Sequence, residues 1–206
     1  MSDAPSSHQI TDLIVHTQLE DGTSVCIRSI RPSDEARMRD AIEQLSAKSR
    51  YLRFFSVQPM PSDAIIERLV EADGHRHLAW GAINSGDEEH PAIGAVHAMR
   101  TAAEGKSAEF SVGIVDAYHG LGLARLLIAV LLVNCRHENI AALDVQVLSE
   151  NRAAGHLIGS LGAQRCKSEY SVTEYSLDVG TALARLQALD SPAGLRDVFA
   201  ALARYL

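Results

Sequence analysis

Apolar and polar residues alternate at the start of the chain. Leu13, Val15 and Leu19 are separated by polar neighbours, Asp21-Gly22 interrupts, and Val25 and Ile27 resume the alternation. Successive strand side chains point to opposite faces, and Asp-Gly suits the positive φ of a tight turn, so the pattern predicts a β-hairpin. Pro32 ends its second strand. Over 34–45 the period changes, and Met38, Ile42 and Leu45 fall on one helical stripe. Pro61 precedes a second helix at 62–72, with Ile65, Ile66, Leu69 and Val70 as its apolar face. Between the two helices, Arg50 and Arg53 interrupt apolar residues, and the segment reads as a loop with solvated or paired arginines. Strands are expected at 77–84, 92–99 and 107–115, separated by polar turns at 86–89 and 103–106.

The turn Tyr118-His119-Gly120-Leu121-Gly122 leads into a helix that runs to Glu138. That helix is apolar nearly all round its middle, which places it against a sheet. Residues 142–148 form the next strand, with Leu143, Val145 and Val147 on one face. A short helix at 151–161 closes on Gly162, and 172–177 is a last strand. Leu183, Leu186 and Leu189, then Leu195, Val198, Phe199 and Leu202 after Ser191-Pro192, indicate two terminal helices. Their stripes either pack on their own domain or make a homodimer contact. Residues 1–9 are polar and expected to be loose. Helices and strands are mixed with neighbouring strands, so the class is α/β (α+β).

With 206 residues the chain is long enough for one substantial core. Its 47% hydrophobic and 22% charged content is that of a folded soluble domain. Nineteen basic against 26 acidic residues give a net charge of −7. That excludes a general affinity for nucleic acid or anionic membrane, but leaves room for a local anion site or a cationic substrate. Cys26, Cys135 and Cys166 are too scattered for a disulfide framework or a zinc site, and read as buried thiols of a reducing compartment. The longest apolar run, 126–133, is too short to span a bilayer, and the first residues lack a secretory pattern. A cytoplasmic protein is expected. His75-x-His77 has no third ligand at useful spacing, so no metal site is expected. His97 and His156 read as packed or exposed, and Cys135 as inert core.

The strongest chemical feature is strand, then His119-Gly120-Leu121-Gly122-Leu123-Ala124, then helix. Small residues let a ligand approach the backbone, and a helix start offers unpaired N–H groups and a positive dipole end. Together these suit phosphate. A P-loop needs a lysine that 121–126 lacks, and Arg125 occupies the third-glycine position of a dinucleotide fingerprint. From spacing alone, an anion site and a plain glycine turn both remain open. On the strand before it, Ala108, Phe110, Val112 and Ile114 share one face, and Glu109, Ser111 and Gly113 take the other. Glu109 is then either a candidate general base or an ordinary surface glutamate.

The turn resembles the Gln/Arg-x-x-Gly-x-Gly/Ala acyl-CoA signature of the GNAT acetyltransferase superfamily, with His119 at the Gln/Arg position. Downstream, Asn151, Ala154, Leu157, Leu161 and Gly162 match the family's Asn-x-x-Ala-x-x-Leu-Tyr-x-x-x-Gly-Phe pattern, with Ile158 and Ala163 at its two aromatic positions. Arg31-Pro32-Ser33-Asp34 is similar to the start of the family's first helix. The segment Leu45-Ser46-Ala47-Lys48-Ser49-Arg50-Tyr51-Leu52-Arg53-Phe54-Phe55 resembles the subgroup of bacterial protein-lysine acetyltransferases.

The resemblance implies a mixed, mostly antiparallel central sheet flanked by helices. It implies a GNAT-like domain at 25–178, preceded by a polar segment and extra hairpin strand at 1–24 and followed by a helical extension at 179–206. It implies transfer of acetyl from acetyl-CoA to an amine. Glu109 stands where that subgroup carries its catalytic glutamate. Val112, Gly113 and Ile114 would bond the pantetheine arm through their backbone. His119, Gly120, Leu121, Gly122, Leu123, Ala124 and Arg125 would hold the pyrophosphate. A neutral His119 can donate to a phosphate, and a branched side chain at Gly122 is expected to obstruct it. Asn151 would contact the pantetheine. Ile158 replaces the family's usual general acid, so the thiolate leaves unaided or Tyr170 or Tyr175 substitutes. Arg50 and Arg53 can line the acceptor site. The preferred acceptor is a protein lysine, with a small-molecule amine, or a noncatalytic acyl-CoA-binding module, as alternatives.

Overall fold

The computed structural model describes residues 9–206. The polar start expected to be loose lies, over 1–8, outside the described residues. One eight-stranded sheet runs through the molecule in the order β1-β2-β3-β4-β5-β6-β8-β7. The predicted hairpin is β1 (Ile14–Gln18) and β2 (Ser24–Ser29), with Val15 and Ile27 buried opposite one another. The sheet continues through β3 (His77–Asn84), β4 (Ala92–Arg100) and β5 (Ser107–Ile114), then β6 (Ala142–Leu148), β7 (Gln164–Glu169) and β8 (Val172–Asp178). Every pair is antiparallel except β5–β6. The expected mixed, mostly antiparallel sheet is therefore present.

Helices α1 (Glu35–Glu43), α2 (Ala47–Phe54) and α3 (Asp63–Val70) lie over one face. Arg28 clamps Asp34 with two bonds, 2.8 and 2.6 Å, and the Asp34 carboxylate accepts from the Arg31 N–H, which fixes the start of α1. The other face carries α4 (Leu123–His137). Its residues from Leu126 to Cys135 are all buried, because α6 (Val179–Gln187) and α7 (Gly194–Ala201) cover the side away from the sheet. The terminal stripes thus pack on their own domain: Leu183, Leu186, Leu195, Val198 and Leu202 join the central core, while Leu189 stays exposed. Trp80, fully buried on β3, donates its indole N–H to Asn134 of α4 at 3.0 Å. This bond ties the sheet to the helix that begins at the glycine turn.

Three readings need correction. Residues 47–54 are a helix, capped by the Ser46 hydroxyl accepting from the Ser49 N–H. Its two arginines break up the apolar stripe that would have marked it. β7 was not expected because all its residues are exposed, so an edge strand of this kind shows no alternation. The thiols are not all buried: Cys135 is, and burial pushes its pKa up, but Cys26 is half-buried and Cys166 exposed. No helix among the described residues is long and apolar enough to cross a membrane.

Candidate active site

The parallel pairing of β5 with β6 starts at Ser107 and Ala142 and stops at Phe110 and Val145. β5 nevertheless continues along β4 to Ile114, and β6 continues along β8 to Leu148. The two strands therefore diverge, and the edge of β5 facing β6 has no strand partner over 111–114. A backbone edge without its ladder leaves polar groups to be paired by side chains, water or a ligand. The wedge opens into a cavity of about 430 Å³ lined by Val112, Gly113 and Ile114, by the glycine turn, and by Asn151.

At the end of this cavity, Gly120 (φ 76°) and Gly122 (φ 87°) hold the turn in the left-handed region. Among the described residues no acceptor takes the N–H groups of Gly120, Leu121, Gly122, Leu123 or Ala124, while the following N–H of Arg125 bonds back to Gly122 at 3.0 Å. Such a cluster of free donors at a helix start fits a diphosphate. Arg125 lines the same cavity, and its Nε is buried without a partner. Leu121 and Leu123 turn their side chains to the core, so only their backbone faces the site.

Two expectations about individual residues change. His119 Nε2 lies 2.9 Å from the Ile114 carbonyl oxygen, which can only accept. That contact commits the Nε2–H to β5 and braces the turn, so only Nδ1 remains for another partner. Gly122 lines the cavity through its backbone, but a Cβ there would sit 2.6 Å from Cβ of Pro192. A Cβ on Gly120 meets nothing within 4 Å. We expect Gly120→Ala to weaken CoA binding while costing only about 1–2 kcal/mol of left-handed strain. Gly122→Ala should lower thermal stability further, through Pro192. Calorimetric CoA titration and thermal melts of both variants check this, and unchanged CoA affinity in Gly120→Ala would count against the cradle.

The chain ends hold the turn from behind. The Glu20 N–H donates to the Leu121 carbonyl at 3.2 Å, and the Ser191 hydroxyl donates to Glu20 at 2.7 Å. On the other side, Asp116 accepts from the Ser46 N–H, the Ser46 hydroxyl and the Ser49 hydroxyl at 3.0, 2.8 and 2.8 Å. These bonds pin the start of α2 to the loop after β5.

A second cavity of about 620 Å³ opens on the α2–α3 side. Glu109, exposed on β5, lines it together with Asp144 and Glu174. Glu109 and Asp144 are register neighbours across the parallel pair. The alternation read from the sequence holds: Ala108 and Phe110 pack toward α4, and Glu109, Ser111 and Gly113 face the other way. Asn151 lines both cavities and caps α5 (Arg152–Ser160), its side-chain oxygen accepting from the Ala154 N–H at 3.1 Å. Ile158 is buried in the cavity wall. Of the two tyrosines that can stand in for it, Tyr170 is fully exposed and lines neither cavity. Tyr175 lines the second one, with its hydroxyl 4.0 Å from where a Cβ of Gly155 on α5 would lie.

Arg50 donates to the carbonyls ending α1, at Ile42 and Glu43. Arg53 has no ion pair or hydrogen bond among the described residues, only the Phe54 ring 4.9 Å from its guanidinium carbon. Its Cδ and Nε lie 3.5 Å from where a Cβ on Gly113 would be, and burial pushes its pKa down to about 10. It still carries its charge at neutral pH. The sequence signal was Arg53 amid apolar residues, but its inward aim depends on α2 being a helix.

His75 and His77 point apart. His75 pairs with Glu138 at 2.7 Å, whereas His77 bonds the buried His97 at 3.0 Å. Burial holds both His77 and His97 below the ordinary imidazole value, with the Arg53 charge adding to the effect at His97. Unfolding therefore takes up protons. Stability from this pair is present above the unfolded value of about 6.5 and is lost as pH falls below it. Melting midpoints should drop between about pH 7 and 5, and His97→Gln should flatten that slope. Equal slopes in the two proteins would contradict it.

No family model matches the chain. The acetyltransferase PA5475 of Pseudomonas aeruginosa is 31% identical over 144 residues, covering 70% of this chain and 77% of that protein. The acetyltransferase Pat of Mycolicibacterium smegmatis is 26% identical over 169 residues, 80% of this chain, and the chain spans only 49% of that relative. The solved GNAT domain of S. lividans PAT matches with a TM-score of 0.73 at 25% identity, over 80% of this chain and 96% of that domain. The fold thus has a counterpart of known family, and the chain belongs to the GNAT N-acetyltransferases, similar to bacterial Pat.

Proposed function

We propose that the protein transfers acetyl from acetyl-CoA to an amine, with a protein lysine as the acceptor. The observation that carries this reading is the meeting of the two cavities at β5. The unpartnered strand edge and free N–H groups lie on one side, and Glu109 stands on the other. The 111–114 edge would bond the pantetheine and polarise the thioester carbonyl. The N–H groups of 120–124 and Arg125 would hold the diphosphate, so a chain of net charge −7 binds an anion by a local field.

A lysine amine has a pKa near ~10.4 and must lose a proton to attack. Glu109 takes that proton, directly or through water. The nitrogen lone pair then forms the C–N bond, the nitrogen gives up its second proton to water as the amide forms, the C–S bond breaks, and the sulfur leaves with the bonding electrons. That thiolate leaves unaided or takes a proton from Tyr175, which lines the neighbouring cavity. The carboxylates of Glu109, Asp144 and Glu174 outnumber the arginines, Arg53 and Arg68, in the lining of this second cavity, which favours a cationic acceptor. The likeness of 45–55 to the lysine-acetyltransferase subgroup supports the same acceptor.

The test is CoA release measured over peptide and small-amine panels. Turnover on lysine peptides supports the reading. Turnover confined to polyamines, amino acids or aminoglycosides replaces the acceptor, and tight acetyl-CoA binding with no release across both panels leaves a noncatalytic binder.

A further inference from the structure

The donor and acceptor cavities share a short stretch of wall, and the thioester and the amine must meet along it. Leu52, Val112, Asn151, Ala154 and Leu157 belong to both linings, and so does Arg53. Arg53 is the one charged side chain among them. Helix α2 delivers it there. Asp116 pins the start of α2 to the loop after β5, and Phe55 ends the helix in the left-handed region at φ 53°. The arginine stem lies over Gly113, as its 3.5 Å approach to that Cβ position shows, and part of its surface stays open to the cavities. A guanidinium carries five N–H donors, and among the described residues none of them meets an acceptor. Glu109, Asp144 and Glu174 line the same acceptor cavity, yet none of them pairs with it. Holding a cation out of water without a counter-charge costs free energy. A negative charge arriving beside it recovers that cost. The diphosphate is drawn to the turn at 120–125, and the acceptor is an amine. Negative charge therefore reaches the junction only during the reaction itself.

We propose that Arg53 is a catalytic residue that stabilises the oxyanion formed when the amine attacks the thioester. The inference rests on the acyltransferase reading above. In that step the nitrogen lone pair forms the C–N bond and the C=O π pair moves onto oxygen, which then carries a full negative charge. On collapse the same pair re-forms the C=O bond, and the C–S pair leaves on sulfur. The nitrogen gives its protons to Glu109 and to water. Arg53 exchanges none and stays charged throughout. Burial lowers its pKa only to about 10, so the cation is present at neutral pH. The N–H groups of the 111–114 edge offer dipoles, and Arg53 adds a net charge in a wall that is otherwise mostly apolar. Attraction between charges is stronger there than in water, and a fixed cation needs no reorganisation as the oxyanion forms. It favours the oxyanion over the neutral carbonyl, which is the condition for raising kcat.

The experiment is steady-state CoA release by Arg53→Met in the full chain, with calorimetric acetyl-CoA titration and thermal melts of the same protein. The acceptor is the amine that the wild type turns over fastest. Loss of one oxyanion-stabilising group should lower kcat by about 10²- to 10³-fold. Acetyl-CoA affinity and the acceptor KM should change little, because the ground-state carbonyl is neutral. The melting point should hold or rise, since an apolar chain replaces an unpaired cation. A purely structural arginine predicts the reverse, a lower melting point with kcat preserved. Arg53→Lys keeps the charge without the planar fork, so its kcat should fall between wild type and Arg53→Met. Guanidinium at a nondenaturing concentration should restore part of the rate in Arg53→Ala, which carries the test if Arg53→Met does not fold. A kcat near wild type in Arg53→Met overturns the inference. So does a loss of rate that neither lysine nor guanidinium relieves. A raised KM with kcat unchanged, seen with an acceptor that bears a carboxylate, makes Arg53 an acceptor anchor and also overturns it. These outcomes leave the proposed function standing. No CoA release by the wild type on any amine overturns both.

Discussion

Glu109→Gln should lower kcat at neutral pH by about 10²- to 10⁴-fold, the usual contribution of a positioned general base. The substitution keeps the shape of the side chain and removes only its ability to take a proton. Glu109 lies on β5 outside the donor cavity lining, so acetyl-CoA affinity should stay near wild type. The pH dependence adds a second readout. Without the base the reaction depends on free amine already present in solution, which increases about tenfold per pH unit below ~10.4. The gap between mutant and wild type should therefore narrow as pH rises toward 9. CoA release measured from pH 6.5 to 9 on both proteins checks each point. Asp144→Asn is the control, because Asp144 is the register neighbour on β6 and the nearest competing carboxylate by position. Loss of rate in Asp144→Asn with a near-normal Glu109→Gln would move the base to β6.

Trp80→Ala should destabilise the fold by about 3–5 kcal/mol, the range for removing a buried aromatic. That is a large share of the roughly 5–15 kcal/mol available to a domain, and the melting point should fall by about 10 °C. The side chain is fully buried, packs between β3 and α4, and carries the bond to Asn134. Trp80→Phe separates the two losses. It keeps most of the apolar contact but leaves the buried Asn134 oxygen without its donor, a cost of about 1–3 kcal/mol. Asn134 Nδ2 is already without a partner, so pairing Trp80→Phe with Asn134→Leu removes both orphans together. The double variant should be more stable than the sum of its single effects predicts. Denaturant titration of the four proteins measures the coupling. A strictly additive result would mean that the indole N–H contributes nothing to holding α4, and with it the start of the cradle, on the sheet.

Much of this architecture was legible from local pattern. The Asp21-Gly22 hairpin, the strands β3 to β6, the buried α4 and the capped α5 follow from period, turn residues and helix boundaries, all of which act over a few residues. The glycine turn was legible for the same reason, since the left-handed φ of Gly120 and Gly122 is a backbone requirement that belongs to those positions themselves. α2 and β7 were not legible. The arginines of α2 disrupt its stripe because one of them, Arg53, faces inward. β7 is an edge strand with no buried face, so its residues carry no alternation to read.

By itself the sequence determined the mixed α/β class, the glycine turn before α4, the face of β5 that carries Glu109, and, through its motifs, the family. Only the tertiary structure decided which groups meet. The β5–β6 wedge depends on where two distant strands stop pairing. The separate fates of Gly120 and Gly122 depend on Pro192 arriving from the chain's other end. The contact of His119 with Ile114, and the entry of Tyr175 into the cavity lining while Tyr170 stays exposed, depend on how the sheet and its loops come together. Local propensity acts between neighbours in the chain. Cavities and hydrogen-bond partners form between segments far apart in it, and their positions appear only once the sheet has set its register and the helices have closed over it.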